Sequence, residues 1–522
     1  MANEPKITYT TLLSSESFHA DYEQACRALE GRFGALHRNV IASAPSESSR
    51  VAEVHAPHDT RLLLGRVQRA SAKEASLALS AAHAAFPAWR DTPWRARAAL
   101  LRQAAERLRA RRTELAALMS FEVGKNRFEA MGEAEESVDL IEYYCSLLER
   151  HDGYREPMNR LGADEENESV YRPYGAWTVI APFNFPAALS VGMISAALLA
   201  GNTVVYKPAE QAPLTGHLLF EVLAGAGLPP DVLQLVCGDG EEAGQALVSH
   251  PLCAGVAFTG SYAVGMQLYR SFGSDYPKPM VIEMGGKNPA IVLASADLDA
   301  AAEGVMRSSM GYGGQKCSAC SRAYVAREVL EPFLDRLVAR VRGLTVGPPT
   351  ARETFLGPLI SAQAKVGFAH HVARARAEGH QLLVGGDALS DERLAHGHYV
   401  PPTVVRCRDG SSALFHEELF APLLLVAPVA DLDEALTLAN AAPYGLTAGL
   451  FSRVPAEIEY FLANIEAGVT YVNRRSGATT GAWPGVNPFG GWKASGSTGP
   501  AGLGPNYLLR FLREQSRTRH AY

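Results

Sequence analysis

The sequence predicts an α/β protein built on a doubly wound sheet, and three observations support this fold class. From Ala176 to Phe258, short β-branched segments alternate with helical ones, which gives three βα repeats in fewer than ninety residues. A second α/β region begins at Asn288 and runs to about Asn473. The length of 522 residues exceeds the roughly 250–300 residues at which a single core stops growing, so we expect at least two domains.

The segments before the repeats are predicted to be helical. Residues 1–50 are predicted to form a peripheral extension with one helix over 17–33 and a polar loop rich in small residues. Helical periodicity follows over 71–86, 93–123 and 128–148. We expect the first of these helices to begin at a Ser71 cap and to end before Pro87.

The repeats are then predicted element by element from the alternation of apolar runs and turn signals. Strands are expected over 177–181, 203–207, 232–236 and 253–258, with helices over 187–200, 215–226 and 241–249. A loop-rich tail with nine glycines from Gly477 to Gly504 closes the chain.

Composition limits the classes of partner. The hydrophobic content of 47%, the 20% of charged residues and the absence of a 20-residue apolar run are typical of a soluble protein, so we expect no membrane partner. A net charge of −6 gives no reason to expect nucleic acid binding. Seven scattered cysteines and no visible secretory signal favour a reducing compartment, with the cytoplasm as default. Small molecules and copies of the chain itself are the expected partners.

Cys317 is the candidate nucleophile because it follows the glycine-rich stretch G-Y-G-G-Q-K. Such an approach lets the backbone come close to a ligand and leaves N–H groups pointing at it. Glu283, in V-I-E-M-G-G-K-N, ends a strand and is the candidate base. A lone cysteine is more often a small buried hydrophobe, so this assignment depends on the surrounding motifs.

Asn184 and the strand ends supply further candidates. Asn184 lies between two aromatics and two prolines in A-P-F-N-F-P, where its amide can donate to a developing oxyanion or cap the following helix. Lys207 and Glu210 follow a strand end, where open α/β sheets bind ligands, although a solvated pair would look the same. The turn F-T-G-S-Y-A-V-G opens a helix that can receive a phosphate, but it lacks the G-x-G-x-x-G fingerprint.

Cys317 and Cys320 form C-S-A-C, a spacing that can indicate a redox pair or half of a metal site. The sequence has no second pair with metal-ligand spacing, so we expect no metal. A catalytically silent structural member of the fold is the third alternative, and a missing Cys317, Asn184 or Glu283 would have indicated it.

Taken together, these motifs resemble the NAD(P)-dependent aldehyde dehydrogenases over roughly residues 50–510. The matching pieces follow the family's order: P-F-N-F-P at 182, K-P-A-E at 207, F-T-G-S at 258, E-M-G-G-K at 283, G-Q-K-C at 314, E-L-F-A-P at 418 and P-F-G-G at 488. The 34 residues from Glu283 to Cys317 also match the family spacing.

The resemblance implies the aldehyde dehydrogenase fold and its division into domains. Residues 51–150 and 171–285 would form a doubly wound NAD-binding domain, and 286–485 an α/β catalytic domain. Residues 151–170 and 500–522 would form a small oligomerisation element of a homodimer or larger homo-oligomer, with 1–50 as an N-terminal extension.

The resemblance also implies roles for the candidate residues. Cys317 would add to the aldehyde carbon, with Asn184 and a backbone N–H holding the oxyanion, and Glu283 would activate the hydrolytic water. NAD would be the cofactor, with NADP used more weakly because Glu210 would meet a 2′-phosphate of like charge. The implied cofactor-binding residues are Lys207 and Glu210 for the adenosine ribose, Gly260, Ser261 and Gly265 for the pyrophosphate turn, and Glu418 and Phe420 for the nicotinamide ribose.

Within the family, the tail is most similar to the branch that oxidises L-glutamate γ-semialdehyde in proline breakdown. The similarity is carried by Q-K-C-S-A at 315 and T-G-A-W-P-G-V-N-P-F-G-G at 480. Backbone N–H groups of Gly481 and Ala482, with the Ser318 hydroxyl, would bind a substrate carboxylate. Phe183 and Phe489 would flank the methylene chain. Another carboxylated semialdehyde and an aromatic aldehyde remain alternatives, and acyl transfer to coenzyme A is disfavoured because those relatives dispense with the glutamate base.

Overall fold

The computed structural model describes residues 8, 15–46, 48–475 and 482–520. The α-helices within these ranges, in chain order, are α1 (Glu16–Glu30), α2 (Ala72–Asp91), α3 (Trp94–Ala110), α4 (Arg112–Val123), α5 (Arg127–Arg150), α6 (Ala188–Ala200), α7 (Pro213–Ala224), α8 (Gln245–Ser249), α9 (Tyr262–Ser271), α10 (Leu298–Met310), α11 (Leu330–Arg342), α12 (Ala362–Ala377), α13 (Leu432–Asn440) and α14 (Pro455–Asn464).

The strands in the same ranges are β1 (Leu36–His37), β2 (Val40–Ile41), β3 (Ala44–Pro45), β4 (Val51–Ala56), β5 (Asp59–Gln68), β6 (Arg155–Met158), β7 (Glu165–Pro173), β8 (Ala176–Ile180), β9 (Thr203–Lys207), β10 (Leu233–Leu235), β11 (Cys253–Thr259), β12 (Met280–Glu283), β13 (Asn288–Val292), β14 (Cys320–Ala326), β15 (Gln381–Val384), β16 (Thr403–Arg406), β17 (Leu423–Val429), β18 (Tyr444–Gly445), β19 (Thr447–Phe451), β20 (Val469–Val472), β21 (Trp492–Lys493) and β22 (Leu512–His520).

The first large sheet has seven strands in the order β12-β11-β8-β9-β10-β2-β3. Strands β8 to β12 are parallel, and β2 and β3 continue the sheet with antiparallel pairing. The chain runs from β8 to β10 in one direction and then returns to place β11 on the other side of β8. A doubly wound sheet binds its ligand at such a reversal, outside the carboxyl ends of the strands.

The second large sheet also has seven strands, in the order β15-β16-β17-β14-β13-β19-β20. All of its neighbouring pairs are parallel except β15 with β16. Strand β13 is buried throughout, which fits its apolar sequence N-P-A-I-V. Only residues 284–287 separate β12 of the first sheet from β13 of the second. The carboxyl edge of one sheet therefore continues directly into the amino edge of the other.

A third sheet, in the order β22-β7-β6, joins the two segments predicted to form the oligomerisation element. Strands β22 and β7 pair antiparallel from Leu512 with Pro173 to His520 with Glu165. Strand β6 is exposed along its whole length. Pairing between chains through this sheet stays a prediction.

The structure differs from the sequence prediction at the N-terminus and in the helical region. Residues 16–30 are not peripheral, because α1 buries Tyr22 completely and packs on α4. Helix α2 continues through Pro87 to Asp91, since Trp89 is buried beyond the proline and its indole N–H donates to the Leu198 carbonyl at 3.2 Å. The packing of Trp89 outweighs the one backbone hydrogen bond that a proline removes. The long helix predicted over 93–123 is broken at Arg111 into α3 and α4.

None of the helices in the described ranges is long and apolar enough to cross a membrane.

Candidate active site

The parallel strands of the first sheet bring the predicted site residues to one edge. Asn184 follows β8, Lys207 ends β9 and Glu283 ends β12. The strand register sets Lys207 beside Ile180 and Glu283 beside Thr259, so these strands end level with one another. The amino edge of the second sheet adds Cys317, which lies three residues before β14.

The turn that leads to Cys317 has an unusual backbone. Tyr312, Gly313 and Gly314 have φ values of 49°, 62° and 67°, which is the left-handed region. A Cβ at Gly314 would collide with the carbonyl of Ala421, so only glycine fits there. The glycine-rich approach is therefore required by the path of the chain.

Asn288 holds this turn from the second sheet. Its side-chain amide donates to the carbonyls of Cys317 at 2.7 Å and Ala319 at 3.0 Å, and its oxygen accepts from the Thr447 N–H at 2.9 Å. Sequence reasoning assigned Asn288 no role. The available signal was its position directly after E-M-G-G-K, at the start of a buried strand.

Asn184 points at the same turn. It is buried, and its side-chain amide donates to the Gln315 carbonyl at 3.0 Å. The alternative of a helix cap fits less well, because the N-terminal N–H groups of α6, at Ala187 and Ala188, donate to Glu133 instead. An amide has two N–H donors, so Asn184 has the capacity to donate to a second acceptor.

Burial controls the protonation of Glu283 and Cys317. It raises the pKa of Glu283 to about 8, against smaller opposite effects of Arg510 and of the Gly491 N–H, which donates to the carboxylate at 3.1 Å. It also raises the pKa of the Cys317 thiol to about 12, helped by the carboxylates of Glu418 and Glu283. Near neutral pH both groups are therefore mainly protonated.

Glu418 packs directly on the chain crossing between the sheets. The Gly286 N–H donates to its carboxylate at 3.1 Å, and a Cβ at Gly285 would collide with it. Burial raises the pKa of Glu418 to about 7, partly offset by this N–H and by Lys287. A Cβ at Gly286 would collide with the Cys317 carbonyl, so the two glycines let Glu418 and the Cys317 turn close on the same backbone.

A cavity of about 380 Å³ opens beside Cys317. Its wall includes Cys317, Glu283, Ser318, Ala482 and Phe489, so five residues predicted for catalysis and substrate binding meet in one space. Helix α5 adds a wall that sequence reasoning did not predict, with Glu129, Glu136, Leu140 and Tyr144. Glu129 is paired with Lys316, whose ammonium lies 2.9 Å from its carboxylate.

The assignment of Phe183 to the substrate wall needs correction. Phe185, two residues later, lines the cavity, whereas the ring of Phe183 lies against Phe420, with 6.0 Å between ring centroids. The two phenylalanines of A-P-F-N-F-P diverge because this segment turns sharply between β8 and α6. Phe183 therefore shares a contact with Phe420, a predicted cofactor residue. Gly481, also predicted to bind substrate, lies outside the described residues.

The predicted adenosine end has a cation that the sequence reasoning missed. The Glu210 carboxylate accepts from the Gly240 N–H at 2.9 Å and pairs with the Arg69 guanidinium at 3.0 Å. Arg69 also contacts Asp239. Lys207 is buried, which lowers the pKa of its ammonium. Nothing in the local sequence marks Arg69, because it comes from the loop after β5.

The residues of the predicted pyrophosphate turn, 258–265, have different structural roles. Ser261 caps α9, and residues 261–264 are exposed at the N-terminal end of that helix. Gly260 donates its N–H to the Glu283 carbonyl at 3.1 Å. Gly265 is buried, and a Cβ there would lie 2.6 Å from the Met284 sulfur. Gly265 thus allows α9 to pack on β12 and does not face the solvent-exposed end of the turn.

This constellation of cysteine, glutamate and asparagine agrees with a comparison of the whole chain. The family model described as "Aldehyde dehydrogenase family" matches residues 44–516. The chain belongs to the aldehyde dehydrogenase family. The predicted family and fold class are confirmed.

The proteins that this aldehyde dehydrogenase resembles include 1-pyrroline-5-carboxylate dehydrogenases. A 1-pyrroline-5-carboxylate dehydrogenase of Halalkalibacterium halodurans is 35% identical over 99% of this chain and 98% of its own length. The crystal structure of 1-pyrroline-5-carboxylate dehydrogenase from Thermus with bound NAD superimposes with a TM-score of 0.93, at 37% identity and full coverage of both chains. Proline utilization A from Bdellovibrio bacteriovorus has a TM-score of 0.92 at 34% identity, over 54% of that longer chain. The predicted similarity to this branch of the family is confirmed.

Residues 312–319, which carry Cys317, are here called the nucleophile turn. Substitution of Asn288 tests whether its hydrogen bonds hold this turn in place. Asn288→Asp removes both N–H donors and sets a carboxylate against two carbonyls, so we expect kcat to fall about 10- to 100-fold, with NAD affinity unchanged. Asn440→Asp is the matched control, since Asn440 also joins two backbone groups, at Asn464 and Glu466. Equal losses in both variants, measured by steady-state kinetics, would contradict a specific role for Asn288.

The raised pKa of Glu283 predicts a pH dependence. A carboxyl group with a pKa of about 8 is protonated at neutral pH and becomes a base only as the pH rises through that value. Where thioester hydrolysis limits turnover, kcat should rise between about pH 7 and pH 9. Glu283→Gln should abolish this rise as well as most of the turnover. A rise that persists in the glutamine variant would assign it to another group.

Proposed function

We propose that this aldehyde dehydrogenase oxidises L-glutamate γ-semialdehyde, the open form of 1-pyrroline-5-carboxylate, to L-glutamate with NAD. The observation that carries the proposal is the shared cavity, in which Ser318 and Ala482 lie in the same wall as Cys317. The relatives named above support the same substrate.

The cavity wall suits each part of this substrate. Phe185 and Phe489 supply aromatic surface for the methylene chain. The Ser318 hydroxyl and the backbone around Ala482 supply donors for the carboxylate. Glu136, buried in the wall on α5, supplies a carboxylate for the ammonium group. A plain aliphatic aldehyde has neither a carboxylate nor an ammonium group and would make none of these polar contacts.

The reaction begins with addition of the Cys317 sulfur to the aldehyde carbon. The thiol proton leaves to solvent water as the sulfur adds, so Glu283 takes no part in this step and remains available for the later hydrolysis. The side-chain amide of Asn184 donates to the oxyanion that forms on the carbonyl oxygen.

Oxidation leaves a thioester on Cys317. NAD, when bound, supplies the acceptor for the hydride that leaves the substrate carbon. Glu283 then takes a proton from water, the water oxygen forms a bond to the acyl carbon, and the carbon–sulfur bond breaks to release glutamate. The thiol of Cys317 is restored by a proton from Glu283.

The residues present fit NAD. The exposed N-terminal end of α9, ten residues long, offers N–H groups and a helix dipole to the pyrophosphate. Glu210 accepts the Gly240 N–H and would also accept hydrogen bonds from the ribose diol, with the Lys207 ammonium nearby. Glu418, which rests on the Gly285–Gly286 backbone, would bind the nicotinamide ribose. In this proposal, residues 51–150 and 171–285 bind NAD, and 286–485 carry the nucleophile.

The assembly and location are part of the same proposal. The exposed edge strand β6 suits pairing with another copy of the chain, which favours a homodimer or larger homo-oligomer. All seven cysteines are free thiols, which suits a reducing compartment such as the cytoplasm.

Substrate discrimination tests the proposal. Initial rates of NADH formation should give a kcat/KM for L-glutamate γ-semialdehyde about 10³-fold or more above that for butanal, because butanal has no carboxylate or ammonium group to bind. Ser318→Ala should raise KM for the semialdehyde about tenfold and leave KM for butanal unchanged.

The matched control is Ser321→Ala, three residues further along the chain, at the start of β14. The Ser321 hydroxyl is buried without a hydrogen-bond partner in the described part of the chain, so its removal should leave both KM values unchanged. Equal efficiency with butanal and the semialdehyde would refute the substrate while leaving the aldehyde dehydrogenase chemistry intact. A higher kcat/KM with another carboxylated semialdehyde or with an aromatic aldehyde would make that aldehyde the assigned substrate.

A further inference from the structure

A buried ion pair lies behind the cavity, outside the reacting groups. Lys125 and Glu133 are 1% and 0% exposed, and the Lys125 ammonium contacts the Glu133 carboxylate directly. Lys125 follows α4, and Glu133 lies in the second turn of α5. A buried pair is weak evidence for stability, because desolvation offsets much of the attraction between its charges. Its other contacts indicate what it does.

The Lys125 ammonium also faces two aromatic rings. It lies 3.6 Å from the ring centroid of Phe185 and 5.0 Å from that of Tyr312. Phe185 is part of the cavity wall, and Tyr312 belongs to the left-handed turn before Cys317. A desolvated cation this close to a ring face is strongly attracted to it. One charge therefore holds both the substrate wall and the nucleophile turn.

Glu133 and Tyr312 complete the connection. The second carboxylate oxygen of Glu133 accepts the N–H groups of Ala187 at 2.8 Å and Ala188 at 3.1 Å, which follow A-P-F-N-F-P directly. The Tyr312 hydroxyl donates to the Val123 carbonyl at 2.6 Å, two residues before Lys125. The pair thus joins the segment that carries Asn184 to the turn that carries Cys317.

We propose that Lys125, paired with Glu133, is a positioning residue that sets the aromatic wall of the substrate cavity by acting through the ring of Phe185. The proposal rests on the proposed oxidation of an aldehyde at Cys317. Lys125 touches no reacting atom, so removal of its charge should act on substrate binding before it acts on the cofactor.

A double-mutant cycle tests this role. Lys125→Met keeps the aliphatic stem and removes the charge, and Phe185→Leu removes the ring. We expect Lys125→Met to lower kcat/KM for L-glutamate γ-semialdehyde about tenfold, mainly through KM, with unchanged NAD affinity measured by fluorescence titration. The combined variant should lose no more than the worse single variant, because the charge acts through the ring. Losses that multiply would overturn the proposal.

A merely structural role has a different signature. It would lower the melting temperature and the fraction of active sites, so kcat would fall equally for every aldehyde while KM stayed unchanged. Glu122→Gln is the matched control: Glu122 is a buried carboxylate that accepts the N–H groups of Leu214 and Thr215 at the start of α7. It should leave KM for the semialdehyde unchanged.

Two further experiments apply if a variant does not fold or if the wild-type enzyme does not oxidise the semialdehyde. If Lys125→Met does not fold because Glu133 is left as an unpaired buried charge, the cycle is run with Glu133→Gln in every variant, which retains an oxygen for the Ala187 N–H. If the wild-type enzyme does not oxidise the semialdehyde, the proposed substrate fails on its own. The cycle is then run with whichever aldehyde the wild-type enzyme oxidises best. Losses in kcat/KM that multiply in the combined variant would again overturn the proposal.

Discussion

The site depends on one constraint, the close crossing of the chain between its two large sheets at Gly285 and Gly286. Glu283 ends a strand of the first sheet and Asn288 begins a strand of the second, so the candidate base is five residues from the asparagine that holds the nucleophile turn. Glu418 packs on Gly285 and the Cys317 carbonyl on Gly286, and any side chain at either glycine would collide with them. Glu418 and the Cys317 turn can therefore approach this crossing only while both positions are glycine.

The close packing of the chain at this crossing also explains the raised pKa values. Glu283, Glu418 and Cys317 are packed into a region where burial disfavours each charged form, so their pKa values are raised together. A carboxyl group in such a site ionises only at a pH above its ordinary range. This suits a mechanism in which Glu283 acts only in the hydrolysis step, where its ionised form takes a proton from water. As a consequence of the raised pKa values, Glu283 and Cys317 are mainly protonated near neutral pH before the substrate binds.

Sequence reasoning was most successful where function is encoded in short motifs. The family, the fold class and the position of Glu283 and Asn184 at one edge of the first sheet could be expected, because strand ends in a parallel sheet lie side by side. Cys317 joins them from the amino edge of the second sheet. The roles of those residues stay predictions until they are measured. Local propensity failed at Pro87, where the burial of Trp89 carries α2 past a proline.

The supporting residues could not be predicted because their partners are distant in sequence. Lys125 reaches rings at positions 185 and 312, and Arg69 reaches a carboxylate 141 residues away. No local pattern indicates either contact. The choice between Phe183 and Phe185 depended on the direction in which one tight segment turns, which neither periodicity nor a motif specifies.

The most direct test of the account is to trap the thioester. Glu283→Gln mixed with L-glutamate γ-semialdehyde and NAD should release about one equivalent of NADH per active site and stall with a glutamyl group on the cysteine. Peptide mass spectrometry should then find this group on Cys317, with Cys320 unmodified. A glutamyl group on Cys320, or full NADH release with no acylated peptide, would contradict the account.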